Sequence, residues 1–200
     1  FPLIGPNKVL EYISGFSCGG DGTGAAGGSD YILTQRNQQF QFPNVTALDT
    51  IGESFTEVTG TRITYRPPPN TKRVEYILDC QIGYDSDPSL DTQLIVYYRV
   101  SITNSSLSLP PADHVIHSEK TVRLGTASAD SISQTIKCIF KLVDSGENIE
   151  TGEIEWGENR IIIVEAREYG STTEGTFHRQ QGAYSTNAYS IPTITVKAIS

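Results

Sequence analysis

Apolar and polar residues alternate with a period of two from Thr61 to Tyr84, interrupted by Pro67-Pro68-Pro69-Asn70-Thr71. Ile63 and Tyr65 share one face of the first run, with Arg62, Thr64 and Arg66 on the other. In the second run Val74, Tyr76, Leu78, Cys80, Ile82 and Tyr84 share a face, with Glu75, Asp79 and Gln81 among those opposite. Successive side chains of a strand point to opposite sides, so the pattern predicts two strands, each with one buried face, joined by a stiff turn. The second run is far longer than the usual strand of about five or six residues. Long half-buried strands of this kind build two-sheet sandwiches.

The same pattern continues along the chain. Val9–Phe16 reads as a first strand or one helical turn, and Cys18–Ser29, made almost wholly of small and polar residues, reads as a loop or linker. Further strands are expected at Tyr31–Leu33, Gln39–Phe42, Glu53–Val58, Gln93–Thr103, Val115–Leu124, Ser131–Val143, Ile149–Trp156, Arg160–Tyr169, part of Phe177–Tyr184, and Thr193–Ile199. Clusters such as Asp85-Ser86-Asp87-Pro88 and Asp144-Ser145-Gly146-Glu147-Asn148 punctuate them as turns. There is no amphipathic helix and no internal repeat. The expected fold is all-β, a two-sheet jelly-roll sandwich over residues 30–200, preceded at 1–29 by an N-terminal strand and a Gly-rich connecting segment.

Two runs depart from simple alternation. Leu94–Tyr98 and Ile161–Val164 are apolar on both sides. Either these are central strands covered on both faces within the chain, or neighbouring copies cover the outer face. The second reading makes Tyr97, Ile162 and Val164 interface positions. A further aromatic-studded polar stretch, Arg167 to Tyr189, carries Tyr169, Phe177, His178, Tyr184 and Tyr189. Such loops suit recognition of a partner or a sugar, or packing at a seam between subunits.

Composition narrows the function. With 200 residues and 37% hydrophobic content the chain can bury a core, as one large β domain or two small ones. A net charge of −8 argues against a nucleic-acid groove, which needs clustered Lys and Arg. No apolar run approaches the roughly twenty residues of a membrane-spanning helix. A chain that opens on Phe1 and contains no Met reads as a fragment, a processed product or the ordered part of a longer protein. Of three cysteines, Cys80 and Cys138 lie on apolar strand faces and Cys18 in the Gly-rich loop. Buried free thiols and a Cys80–Cys138 bridge both remain open, the latter requiring neighbouring strands in register.

Signals for catalysis are weak. His114 and His117 are three apart, which on a strand points them to opposite faces, and His178 is distant. Glu153 and Glu155 share a face, but a glycosidase needs its carboxyls across a cleft. There is no Gly-x-Ser-x-Gly elbow and no phosphate-binding loop. Asp85, Asp87 and Asp91 form a weak calcium candidate, set against an ordinary turn. Asn44-Val45-Thr46 and Asn104-Ser105-Ser106 have the form of glycosylation acceptors. The expectation is a protein without enzymatic activity or cofactor.

The run from Thr59 to Tyr76 resembles a Gly-Ser-x-Ile-x-Tyr-x-Pro-Pro-x-Gly-Thr-x-x-Val-x-Tyr pattern of surface proteins of large DNA viruses of algae and related aquatic viruses. Val9-Leu10-Glu11 followed by Cys18-Gly19-Gly20-Asp21-Gly22, and the closing Pro192–Ile199 run, are similar to the opening and terminal segments of the same proteins. Asn70 stands where the pattern has Gly, a change a turn accepts because Asn also visits positive φ. The resemblance implies a C1q- or tumour-necrosis-factor-like jelly roll that assembles as a homotrimer, and it assigns no functional residue. On this reading the chain is a structural virion protein, a minor capsid, capsid-surface or fibre-head component. Its partners would be its own copies, other capsid proteins and a host-surface glycan or receptor in host attachment, not nucleic acid or membrane. The alternative is a secreted C1q-like or lectin-like recognition module.

Overall fold

The long alternating run forms the central strand of the structure, a computed structural model that describes residues 7–23, 30–84, 94–104, 115–124, 131–168, 175–179 and 189–200, with backbone alone at 84, 94, 104 and 115–124. In chain order the strands are β1 (Val9–Phe16), β2 (Ile32–Leu33), β3 (Gln39–Phe40), β4 (Asp49–Ile51), β5 (Thr56–Glu57), β6 (Ile63–Tyr65) and β7 (Arg73–Tyr84). Then come β8 (Leu94–Asn104), β9 (Val115–Leu124), β10 (Ile132–Leu142), β11 (Glu153–Ile154), β12 (Arg160–Glu168), β13 (Gly175–Phe177) and β14 (Thr193–Ile199). No α-helix occurs among the described residues, and the one helical element is a 3₁₀ turn at Ile149–Thr151.

Two sheets face each other. The larger has seven strands in the order β1-β14-β7-β10-β11, with β13 paired to β4 and β7. The smaller has five, in the order β5-β12-β8-β9, with β6 also on β12. A separate two-stranded ribbon joins β2 to β3. All these pairings are antiparallel except the two-residue contact of β10 with β11. The expected alternation places the core: Val74, Tyr76, Leu78, Cys80 and Ile82 of β7 are buried in one cluster with Ile136, Cys138 and Phe140 of β10. The facing side comes from Val96, Tyr98, Val100 and Ile102 of β8 and Ile162, Val164 and Ala166 of β12. The architecture is an all-β sandwich with one core.

An aromatic chain closes one end of that core. Phe42, Phe40, Tyr65, Trp156 and Phe140 meet edge to face, with successive centroids 5.1, 6.4, 6.0 and 5.4 Å apart. Edge-to-face contact sets the positive ring edge on the negative face of the next ring. The polar atoms of these rings are satisfied: Trp156 Nε1 donates to the Tyr65 carbonyl at 3.0 Å, and the Tyr65 hydroxyl donates to Glu11 Oε2 at 2.6 Å. Glu11 Oε1 accepts the Gln35 amide at 2.7 Å, so one buried carboxylate joins β1, β6 and the turn after β2.

Turn chemistry explains where the elements differ from expectation. Asn70 adopts φ 66° in the Pro-rich turn, which Thr71 closes by donating its hydroxyl to the Pro68 carbonyl at 2.7 Å. The expected strand at Ile149–Trp156 begins instead as the 3₁₀ turn, because Asn148 caps the Thr151 amide and Gly152 takes φ 73°. Only Glu153–Ile154 of that stretch pairs as a strand. Gln39–Phe42 and Glu53–Val58 shrink to β3 and β5, and β4 lies in a stretch with no expected strand. Of Phe177–Tyr184, Phe177 ends β13, while residues 180–184 lie outside the described residues. The N-terminal strand reading holds for Val9–Phe16, which pairs with β14.

The core assignment yields two expected outcomes. Leu78→Ala should destabilise by about 2–5 kcal/mol in urea denaturation, whereas Thr64→Ala, exposed on β6, should stay within about 0.5 kcal/mol. Equal costs would place the strand faces wrongly. Tyr65→Phe keeps the ring but removes a donor from a buried carboxylate, and should cost about 1–3 kcal/mol. Wild-type stability in that variant would mean that water replaces the hydroxyl.

Candidate functional site

The outer face of the larger sheet is mapped by strand register. Across β1, β14, β7 and β10 the rows read Tyr12–Lys197–Glu75–Ile139, then Ser14–Thr195–Ile77–Lys137, then Phe16–Thr193–Asp79–Thr135. Each row mixes strands whose opposite faces feed the core, so these side chains share the outward side. Tyr12 is 60% exposed, Phe16 50% and Ile139 46%, with Ile191 at the approach to β14 also exposed. Between them Glu75 is nearly buried, held by Lys137 Nζ at 3.1 Å and Arg73 Nε at 3.8 Å. Lys197 Nζ lies 5.8 Å from the Tyr12 ring centroid. Ser14 and Thr195 share a hydrogen bond of 2.8 Å. The face is therefore a flat surface with a braced polar centre and apolar groups toward both sides. A depression of about 180 Å³ at one end is lined by Asp79, Gln81, Ser133, Thr135, Ser190 and Ile191.

The residues singled out from sequence lie elsewhere. Ile162 and Val164 are corrected from interface to core: both are fully buried between the sheets, and Ile163 on the other side of β12 is fully buried as well. The Ile161–Val164 run is thus a central strand covered within one chain, whereas in the other run Val96 and Tyr98 are buried and Ile95 and Tyr97 half-buried. Phe177 and His178 are also fully buried, which removes them from any recognition surface. Tyr97 is half-buried beneath the Arg167 guanidinium, 4.9 Å from its ring centroid. Arg167 also stands 4.9 Å from the Phe55 ring, over which Arg99 lies at 4.2 Å while forming a two-pronged bond to Glu165. Tyr189 is half-buried and bridges to the Arg179 backbone. Tyr169, Tyr184 and the calcium candidates Asp85, Asp87 and Asp91 lie outside the described residues.

Tyr12, Phe16, Ile139 and Ile191 escaped the sequence reading. Their signal is local: Ile139 is the one large apolar residue on the otherwise polar side of β10, beside Ser133, Thr135, Lys137 and Lys141. Tyr12 and Phe16 likewise stand opposite the core residue Ile13.

A second feature is a groove of about 610 Å³ at one end of the sandwich, between the Pro67–Lys72 turn and the 142–144 and 155–160 segments. Trp156, Pro67 and Pro68 line its apolar part, and Arg36, Lys72, Asp144 and Glu158 its charged rim. Glu155 and Glu147 serve the local turn: each accepts the other's backbone amide, and Arg160 binds Glu147 at 2.6 Å. Glu153 accepts from the Thr151 hydroxyl at 3.1 Å.

The three cysteines are free and buried. Register sets Cys80 opposite Gln134 and Cys138 opposite Tyr76, so the two thiols are not cross-strand partners. Burial pushes the Cys138 thiol up to about 12 and Cys80 higher still, leaving both protonated and unreactive. Among the described residues no group of three or more His, Cys, Asp or Glu side chains could hold a metal ion, and no helix is long and apolar enough to cross a membrane. Asn44 is exposed, whereas Ser105 and Ser106 lie outside the described residues. The sequence matches no protein-family model and no curated protein.

Proposed function

We propose that this chain is a structural, non-enzymatic building block that acts by self-assembly, as a homotrimeric jelly roll at a virion surface. The observation that carries the assembly is the outer face of the larger sheet, where Tyr12, Phe16, Ile139 and Ile191 stay exposed around the braced Glu75. Aromatic and aliphatic groups on a flat face, with a polar centre already paired, are the composition of an interface rather than of a solvated sheet. The occupant is a second copy of the chain. This face carries Arg73, Lys137, Lys141 and Lys197 against Glu75 and Asp79, on a chain of net charge −8, so the residues off this face sum to a net negative charge. Face-to-side contact between copies therefore sets basic against acidic surface, and repeating such a contact closes a ring.

Strand order supports the jelly-roll part of the reading. Among the longer strands, and counting β5 and β6 as one, the chain passes from the larger sheet to the smaller and back at nearly every step: β1 to β5/β6, then β7, β8, β9, β10, β12 and β14. Of these only β8 and β9 are consecutive in one sheet, while the short β11 and β13 join the larger sheet, as do their sequence neighbours β10 and β14. That alternation is what two interlocked Greek keys require. The virion setting rests on the resemblance of the 59–76, 9–22 and 192–199 segments. The end groove favours a second reading, a lectin-like recognition module, because its charged rim of Arg36, Lys72, Asp144 and Glu158 surrounds a tryptophan and prolines.

Light scattering is expected to give three times the 21.9 kDa chain mass, with a melting temperature that rises with protein concentration. Ile139→Asp should yield monomers or insoluble protein, since it would bury an unpaired charge at the seam. A wild-type monomer whose melting point is constant over a roughly hundredfold dilution would overturn assembly. Mass spectrometry of purified particles tests the virion setting, and a glycan array tests the groove.

A further inference from the structure

Three segments meet at one buried imidazole. The His178 amide donates to the Gln81 carbonyl of β7 at 2.7 Å, and the His178 carbonyl accepts the Ser190 amide at 2.7 Å, just ahead of β14. The ring Nε2 lies 2.7 Å from the Thr59 carbonyl in the turn between β5 and β6. A carbonyl can only accept, so Nε2 carries the proton of the neutral ring. The other nitrogen, Nδ1, is buried and has no hydrogen-bond partner among the described residues. His178 is fully buried, packs edge to face on Phe177 at 6.0 Å, and holds a left-handed backbone with φ 65°. A non-glycine residue keeps that conformation only where its surroundings over-determine it.

We propose that His178 is a proton-operated latch: protonation at Nδ1 releases the 175–179 segment and the 189–192 lead into β14 from the turn at Thr59 and from β7. The inference goes beyond assembly and holds whether or not copies associate. A second proton would create a buried cationic N–H with no acceptor, which is more costly than the neutral ring with an idle lone pair. The charged groups around the ring do little to relieve it. Asp49 of β4 is the nearby carboxylate, but its Oδ2 already accepts the Thr59 amide at 2.6 Å. Arg179, the next residue, lays its side-chain stem over Gly83 of β7. Gln81 and Ser190 bring no charge.

Burial lowers the affinity of the folded imidazole for a proton from its ordinary value of 6.5, against smaller opposing effects of Thr59 and Asp49. The released segment therefore binds the proton more readily than the latched one. The latch is closed above about pH 6.5 and loosens as the pH falls below it toward the depressed value of the folded state.

Hydrogen exchange followed by NMR tests this in the whole protein. Corrected for intrinsic rates, protection of the His178 and Ser190 amides should fall between roughly pH 7.5 and pH 5.5, by at most about tenfold, the limit for one linked proton. Amides between β7 and β10 should stay unchanged. His178→Asn tolerates the same backbone and cannot titrate, so its local protection should be equal at both pH values. Undiminished wild-type protection at the lower pH, or the same loss in the variant, would overturn the latch. Should the variant fail to fold, the wild-type His178 ring resonances decide: a midpoint below 6.5, reached together with the local exchange, supports it, and one at or above 6.5 excludes it.

Discussion

The burial of one face of β7 against β8 and β12 is the constraint on which the remaining structure depends. Tyr76, Leu78 and Ile82 are wholly removed from water, and each apolar side chain buried in this way contributes about 1.5–3 kcal/mol. Because side chains alternate, committing these residues inward commits Glu75, Ile77, Asp79 and Gln81 outward. The neighbours inherit the phase: Phe140, Cys138 and Ile136 of β10, and Ile194 and Val196 of β14, must follow β7 inward. The flat outer face of the larger sheet is thus a by-product of core packing.

Much of this was legible in the sequence, and the reasons for success and failure are physical. Long strands such as β7, β8, β10 and β12 carry enough alternation or apolar content to override local turn preferences. Two-residue strands such as β5 and β11 carry no usable period, and they exist because a long neighbour, β12 or β10, offers hydrogen bonds. The sandwich class followed from strands, turns and missing helices. Which sheet each strand joins did not, since pairing partners far apart in sequence leave no periodic trace.

The site was less legible than the fold. A run apolar on both sides, such as Ile161–Val164, has the same composition whether a second sheet or a second molecule covers it, and here the covering lies within the chain. The outward Tyr12 and Phe16 of β1 and Ile139 of β10 lie on two strands separated in the sheet by β14 and β7, and share one face only through register. His178 stood out only as part of an aromatic-studded polar stretch, whereas its contact is with the carbonyl of Thr59, 119 positions earlier.

The position of β14 between β1 and β7 bears on how the chain comes to be made. β1 is synthesised first and β14 last among the strands, yet β1 has no place in the larger sheet until β14 arrives to receive it. Loop-closure entropy must be met before such distant pairing returns any energy, which makes the step slow. During synthesis β1 and one side of β7 wait as bare edges, with Val9, Tyr12 and Phe16 alongside, open to pairing with another nascent chain. Chaperone demand and the yield of soluble protein should therefore be governed by the final strand, even though most of the core is encoded before it.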